Sequence, residues 1–182
     1  MRLFLIRSRA LEGTPMKAYK IKERKIFMSR LLGSNAFDVF LLAEASITTY
    51  NTFFIDGRMN KEFFTGNFND EGILPPYEFS MWQDMRSLCF ELIKGKRTPL
   101  GFKLVLHLKP ELAKALLTEN GSAVSLNDLK AFVLNIKYDG SELTCITATA
   151  FHTFIPDKSP DQIWDAYMAE FFDHNAINYE LP

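Results

Sequence analysis

Apolar and polar residues alternate with a period of two in several segments, which predicts β-strands. The clearest case is "LGFKLVLHLK" at residues 100–109. One face of this segment is apolar and the other largely basic: Leu100, Phe102, Leu104, Leu106 and Leu108 against Gly101, Lys103, Val105, His107 and Lys109. Strict alternation is typical of a strand that is buried on one side. A short strand is also predicted at 17–21. From Phe40 to the Asp56-Gly57 turn the sequence predicts either one long strand or a hairpin that turns near Tyr50 and Asn51.

Helical periodicity marks four further segments. They begin near Glu23, Ser80, Pro110 and Ser159 and end at about Leu32, Gly95, Gly121 and Phe172. Glycines past the last periodic residue favour helix ends, and we expect Gly33 to be a C-cap. Ser80 with Gln83 predicts a capping box, and Ser159 with Pro160 predicts a capped start for the last helix. The second helix has the clearest buried face, formed by Trp82, Met85, Cys89 and Leu92.

The stretch "LLAEASITTYNTFFIDGR" at residues 41–58 holds Glu44 and a run of hydroxyls among strand-forming residues. A period of two places one apolar set on one face, namely Leu41, Ala43, Ala45 and Ile47. The other face carries Phe40, Leu42, Glu44, Ser46, Thr48 and Tyr50. Glu44 and Thr48 are therefore candidate ligand-binding residues in a polar groove. The alternatives are an exposed, wet sheet face or, at Glu44, a general acid or base.

A second hairpin is predicted in "FVLNIKYDGSELTCITATAF", with Asp139-Gly140 as a two-residue type I′ loop. This register pairs Tyr138 with Ser141 and Lys137 with Glu142, and it brings apolar residues together across the strands. Strands and helices mix without a run of βαβ units. The sequence therefore predicts the α+β class, a mostly antiparallel sheet with helices packed on one face. Residues 1–15 are predicted to be an extension and residues 16–182 a single domain.

Composition and charge restrict the functional classes. The 182 residues are 47% hydrophobic with a formal net charge of −1, which is typical of a globular domain. Cys89 and Cys145 are far apart in apolar surroundings, so we expect buried free thiols and a cytoplasmic protein. The apolar run Leu3–Ile6 is too short for a signal sequence or a membrane span. Residues 65–76 are turn-rich and are predicted to form a mobile loop.

Two more sets of polar residues are candidate sites. Asp56 and Arg58 flank Gly57 and can pair with each other or contact a polar ligand together, and Arg97 completes this ligand-binding set with Glu44 and Thr48. A second set, predicted to bind an anion or a partner, is basic: Lys94, Lys96, Lys103, His107 and Lys109. Residues 94–109 contain no acid, whereas residues 157–182 carry six acids against Lys158 alone. Such a bipolar layout favours an acidic partner or a second copy of the chain.

Motifs of catalysis are not recognised in the sequence. The histidines and cysteines do not have metal-ligand spacing, and no phosphate-binding glycine loop or nucleophile elbow is found. We therefore predict no cofactor and no metal, name no catalytic residue, and leave open whether the protein is an enzyme. Nucleic-acid binding is disfavoured because no recognised motif accompanies the lysines.

Three segments, "FLLAEASITTYNTFFIDGR", "ELIKGKRTPLGFKLVL" and "LNIKYDGSELTCITATAF", carry a resemblance to a known family. From about Met16 to the C-terminus the chain resembles a family of uncharacterised bacterial proteins, found mainly in Gram-positive anaerobes. The resemblance implies a bacterial cytosolic protein and assigns no activity to any residue. The sequence as a whole favours a non-catalytic domain that binds a partner protein or self-associates. The alternative is an enzyme or binding domain for a nucleotide or phosphorylated small molecule.

Overall fold

The computed structural model describes residues 16–64, 74–125 and 127–182, and within them it has eight strands and five helices. The strands are β1 (Ala18–Ile21), β2 (Phe40–Thr48), β3 (Thr52–Asp56), β4 (Ser80–Met81), β5 (Gly101–Leu108), β6 (Leu129–Tyr138), β7 (Leu143–Phe151) and β8 (Tyr179–Glu180). The helices are α1 (Arg24–Gly33), α2 (Lys61–Phe64), α3 (Trp82–Ile93), α4 (Pro110–Glu119) and α5 (Ser159–His174). The predicted extension 1–15 and most of the predicted mobile loop 65–76 lie outside the described residues.

All described strands join one antiparallel sheet in the order β3-β2-β5-β6-β7-β1-β8, with β4 paired to β2 next to β3. Helix α3 packs on β2, and α5 packs on β7. Helix α1 joins the same layer, because Phe27 contacts Phe37, which in turn contacts Phe40 of β2. One face of the sheet is thus covered by helices, which confirms the predicted α+β class.

The apolar face of β5 lies at the centre of this packing. Four of the five residues that the alternation predicted on this face are buried, namely Phe102, Leu104, Leu106 and Leu108, whereas Leu100 precedes the strand and is exposed. Two tryptophans tie the helices to the rest of the core through their indole N–H groups. Trp164 of α5 donates to the Val133 carbonyl at 2.9 Å, and Trp82 of α3 donates to the Leu31 carbonyl at 3.0 Å. Because an indole N–H buried without an acceptor is costly, these contacts fix the helix positions.

A β-bulge at Ala43 reverses the predicted faces in the first half of β2. The ladder with β5 pairs Leu42 with Leu106 and then Glu44 with Val105, so Ala43 is the extra residue. The helix-covered face of β2 carries Phe40, Leu42, Ala45 and Ile47, all buried. The prediction that Phe40 and Leu42 share a face with Glu44 was therefore wrong. A strict period of two fails wherever one strand has a residue more than its partner.

Gly57 passes against this bulge directly after β3. Its N–H donates to the Ala43 carbonyl at 3.0 Å, and its own carbonyl accepts the Ser80 N–H at 2.8 Å. The glycine is buried between β2 and the segment that leads into β4. Its φ is not positive, so close approach of backbones, and not a left-handed turn, requires a residue without a side chain here.

The β6–β7 hairpin has a different register from the predicted one. Tyr138 pairs with Leu143 and Ile136 with Cys145, so the loop has four residues, 139–142. Oδ1 of Asp139 accepts the N–H groups of Ser141 and Glu142 at 2.9 and 2.8 Å, which stabilises this longer loop. Because the slip is two residues, every side chain keeps its predicted face. Gly140 has a φ of 96°, a backbone conformation that favours glycine over residues with a side chain.

Helix positions agree with the sequence better than their caps do. Helix α3 begins at Trp82, and Ser80 lies in β4, where its hydroxyl donates to the Gly57 carbonyl at 3.1 Å, so the predicted capping box was wrong. Gly33 is the last residue of α1, and Ser34 is its C-cap. In α5, Lys158 takes the N-cap position predicted for Ser159, and Asp157 accepts the Ser159 N–H at 2.8 Å. One competing tertiary or local hydrogen bond is enough to replace a predicted cap.

Candidate functional site

Glu44 lies on the face of the sheet opposite the helix layer, called here the open face, which alternate residues of β2, β5 and β6 form. It pairs with Asp56 across the β2–β3 ladder, and Lys103 Nζ lies 3.4 Å from its Oε1. The side chains of Glu44 and Lys103 are 55% and 51% exposed. Thr48 contacts Thr52 through their hydroxyls, 3.1 Å apart. The β2 candidates thus stand on a solvated surface with partners from neighbouring strands.

Asp56 and Arg58 have separate partners. Oδ1 of Asp56 accepts the backbone N–H of Arg58 at 2.9 Å, which is an Asx turn. The Arg58 guanidinium forms an ion pair with Glu78 and lies 5.2 Å from the centre of the Phe79 ring. These contacts bind the segment before β4 to the end of β3, and they give both residues a structural role that does not need a ligand.

The basic set is less positive than its sequence indicates. Lys94 pairs with Glu91 at 2.6 Å, and Lys109 Nζ lies 6.0 Å from the centre of the Tyr77 ring. Burial lowers the pKa of His107 below its usual value, and the charge of Lys130 lowers this pKa further. The His107 ring also contacts Phe79, 5.0 Å between centres. Only the members of the set without such contacts are available to an anionic partner.

Among the described residues, Lys96 is the member of the basic set without such a contact, and it lies next to Arg97 of the ligand-binding set in the loop between α3 and β5. Both are exposed, and the described residues offer neither of them an ion-pair partner. They line a cavity of about 630 Å³ between this loop and the β2–β3 turn, called here the basic cavity. Its other lining residues include Thr49, Tyr50, Phe53, Glu91, Leu92, Lys94 and Leu100. Arg97 therefore lies in a cavity whose lining contains none of Glu44, Asp56 and Arg58.

Apolar side chains surround the two cations of the basic cavity. Tyr50 is 86% exposed and Leu100 is 69% exposed, and both belong to its wall. The Leu100 N–H donates to the Thr48 carbonyl at 2.9 Å, which holds the loop beside the turn. The Thr49 hydroxyl is shielded from solvent and has no hydrogen-bond partner among the described residues. The cavity thus combines exposed apolar surface, unpaired positive charge and one unused hydroxyl.

The acidic C-terminal segment is weaker as a partner for this surface than its sequence indicates. Two of its acids, Asp161 and Asp165, are buried in α5. A third, Glu180, lies 3.9 Å from both Lys20 and Lys22. Charges that are buried or already paired contribute little to attraction between two copies of the chain.

A second cleft, of about 480 Å³, was not predicted from the sequence. It lies between α1, the start of β5 and the β6–β7 hairpin, and is called here the hairpin cleft. Its lining consists of Arg24, Lys25, Met28, Ile93, Thr98, Pro99, Phe102, Tyr138, Gly140 and Leu143. The cluster "KERK" at residues 22–25 was a basic signal at the start of α1, but only the tertiary structure sets it beside the hairpin.

Three findings bear on cofactors and location. Within residues 16–64, 74–125 and 127–182, no three side chains of His, Cys, Asp or Glu are grouped as metal ligands would be. Cys89 and Cys145 are buried free thiols, as predicted, and burial raises the pKa of Cys89 to about 11. No helix in the described part of the chain has the length and apolar character needed to cross a membrane.

Comparison with known proteins gives one match. No curated protein and no solved structure is similar enough to the chain to be matched. Residues 30–180, most of the chain, match the profile of a family described only as a family of unknown function. Over these residues the match confirms the predicted resemblance to a family of uncharacterised proteins. The chain therefore belongs to the family of unknown function DUF5721.

Proposed function

We propose that the chain is a non-catalytic interaction domain that binds an acidic peptide segment of a partner protein in the basic cavity. The observation that carries this proposal is the position of Arg97 and Lys96. Among the described residues these two cations have no acidic partner, and they border the same cavity as the exposed Tyr50 and Leu100.

The chemistry of the cavity fits a protein partner. Tyrosine and arginine are enriched at the energetic centres of protein interfaces, where an aromatic ring and a planar guanidinium give large contact area with directed hydrogen bonds. Tyr50 and Leu100 supply apolar contact, and Lys96 and Arg97 select for carboxylates. An acidic segment with one apolar side chain satisfies both requirements.

Charge argues against two other occupants. A nucleic acid is held by a series of cations along its phosphates, whereas the basic cavity offers two unpaired ones. A second copy of the chain would have to present its acidic segment, of which Asp161 and Asp165 are buried. A second copy of the chain therefore fits the basic cavity less well than an acidic peptide does.

The test measures binding of a fluorescent pool of short synthetic peptides, each with Asp and Glu around a central Phe, by anisotropy. We expect saturable binding that weakens as salt is added. Arg97→Gln should weaken it about two- to fivefold, in the range of an exposed ion pair. The matched control is Lys137→Gln, which removes an exposed cation from the open face.

Equal loss of binding in Arg97→Gln and Lys137→Gln would contradict the proposal, because only net charge would then matter. Saturable binding of a matched peptide pool with Lys in place of the acids would also contradict it. Sedimentation of the free protein at several concentrations tests self-association. A dimer that dissociates on Arg97→Gln substitution would show that a second copy of the chain, and not a peptide, occupies the basic cavity.

The alternative of a nucleotide or phosphorylated small molecule bound by Glu44, Asp56, Arg58 and Arg97 has less support. Arg97 lines the basic cavity, and the other three residues do not. Asp56 accepts the backbone N–H of Arg58, and the Arg58 side chain forms an ion pair with Glu78. We also propose that the protein is cytoplasmic, as expected from the sequence. Its two buried free thiols suit a reducing compartment.

A further inference from the structure

We infer that the hairpin cleft is a second binding site, whose ligand is a small molecule with one anionic group on an apolar body. The cleft shares Ile93 and Thr98 with the wall of the basic cavity, but its cations and its other lining residues are different. The site goes beyond the proposed function, because its ligand belongs to a different class. Its volume of about 480 Å³ falls in the range of small-molecule sites.

The wall of the cleft is apolar and comes from four elements. Met28 of α1, Ile93 of α3, Phe102 of β5 and Leu143 of β7 all line it, as does Pro99. Phe102 and Leu143 are nearly fully buried and belong to the main core, so this part of the wall is rigid. Covering such a wall with an aliphatic or aromatic group removes apolar surface from water.

The rim of the cleft is cationic. Arg24 is held in place, because its Nη1 donates to the Ser141 carbonyl at 3.0 Å and its guanidinium lies 5.8 Å from the centre of the Tyr138 ring. A guanidinium has five N–H donors, and the described contacts use only those on Nη1. Lys25 is exposed and has no ion-pair partner among the described residues. Together they can bind a carboxylate or a phosphate.

The carboxylate next to Gly140 is bound within the hairpin loop. Asp139 precedes Gly140 at the cleft, but its Oδ1 is turned into the hairpin, where Ser141 and Glu142 donate to it. Gly140 itself cannot carry a side chain without strain, since its φ is 96° and a Cβ would lie 3.0 Å from the Leu100 carbonyl oxygen. The hairpin therefore leaves the rim open above the apolar wall.

The test uses three probes with one chain length: octanoate, octyl phosphate and octanol, each below its micelle concentration. Binding is followed by NMR of ¹³C-methyl-labelled methionines, because Met28 lines the cleft whereas Met168 of α5 is buried in the core. We expect a saturable shift of the Met28 signal, assigned by its loss in Met28→Leu, with Met168 unchanged. The two anions should bind more tightly than octanol, and their ratio tells carboxylate from phosphate.

A variant of the cationic rim tests the contact with the anion. Lys25→Gln should weaken octanoate or octyl phosphate binding about two- to fivefold, whereas Lys137→Gln should leave it unchanged. Absence of a saturable Met28 shift with all three probes would overturn the inference. Equal affinity for octanol and the anions, or equal loss in both variants, would overturn the anionic part. Peptide binding at the basic cavity succeeds or fails independently of these results.

Discussion

The Leu42 carbonyl oxygen lies where a side chain on Gly57 would have to begin, 1.8 Å from the position of a Cβ atom on that glycine. Both residues adjoin the bulge at Ala43, whose carbonyl accepts the Gly57 N–H. The bulge and the glycine are therefore one arrangement, which joins the edge of β2 to the segment leading into β4.

Gly57→Ala should lower the free energy of unfolding by about 3 kcal/mol or more, because backbone, and not a flexible side chain, has to move. Chemical denaturation measures this. Gly33→Ala is the matched control, since a Cβ there meets nothing closer than 3.8 Å and alanine favours a helix by about 1 kcal/mol. Equal stability of the two variants would contradict the close approach of the Leu42 carbonyl to Gly57.

Glu44→Gln should change the free energy of unfolding by less than about 0.5 kcal/mol. Its pairing with Lys103 is exposed on both sides, and exposed ion pairs contribute little. A double-mutant cycle with Lys103→Gln in urea measures the coupling directly. A coupling of several kcal/mol would show that the open face is covered around Glu44.

Asp165 should make the protein more stable at acid pH. Burial raises the pKa of this carboxyl above its usual value of 3.8, and hydrogen bonds from Thr147 and the Lys17 backbone only partly oppose the shift. Because the folded state holds the proton more tightly, the contribution of Asp165 to stability is complete below pH 3.8 and is lost as pH rises through the raised pKa.

Denaturation curves across that pH range test the sign. Asp165→Asn should flatten the dependence of unfolding free energy on pH, whereas Glu170→Gln, an exposed acid on the same helix, should leave it as it is. A steeper dependence in the Asp165 variant would contradict the expected direction.

Asp139 should behave in the opposite way. Backbone N–H groups of Glu142 and Ser141, with the Ser141 hydroxyl, lower the pKa of its carboxyl from 3.8 to about 2. The stability that Asp139 contributes is therefore present above pH 3.8 and is lost as pH falls toward 2. Carboxyl NMR titration should give this value directly, and Ser141→Ala should move it part of the way back to 3.8.

Periodicity was sufficient for the strands whose ladders are regular. The alternation in β5 predicted four buried residues correctly, because β5 has no extra residue against either neighbouring strand between Phe102 and His107, whereas Leu100 lies before the strand and is exposed. In β2 the same reasoning was wrong before Ala43, since a bulge leaves no mark in polarity alone. The capping box at Ser80 was wrong for a related reason, because tertiary pairing with Gly57 competed for the serine.

The candidate sites show what charge along a sequence cannot indicate. Lys103 and Lys109 have contacts with Glu44 and Tyr77, residues that lie close to them only after folding. Arg97 was predicted as a ligand-binding residue and borders a cavity, but with Tyr50 and not with Glu44. The hairpin cleft joins α1 to residues more than a hundred positions later, and local patterns carry no information about such a meeting.

The place of β1 in the sheet also constrains the order in which the protein can be assembled during translation. Within the described residues, β1 pairs with β7 and β8, and the contact between Lys17 and Thr147 spans 130 positions. A ribosome must therefore synthesise most of the described strands before β1 can pair. Because pairing between distant segments slows folding, we expect β1 to join the sheet late.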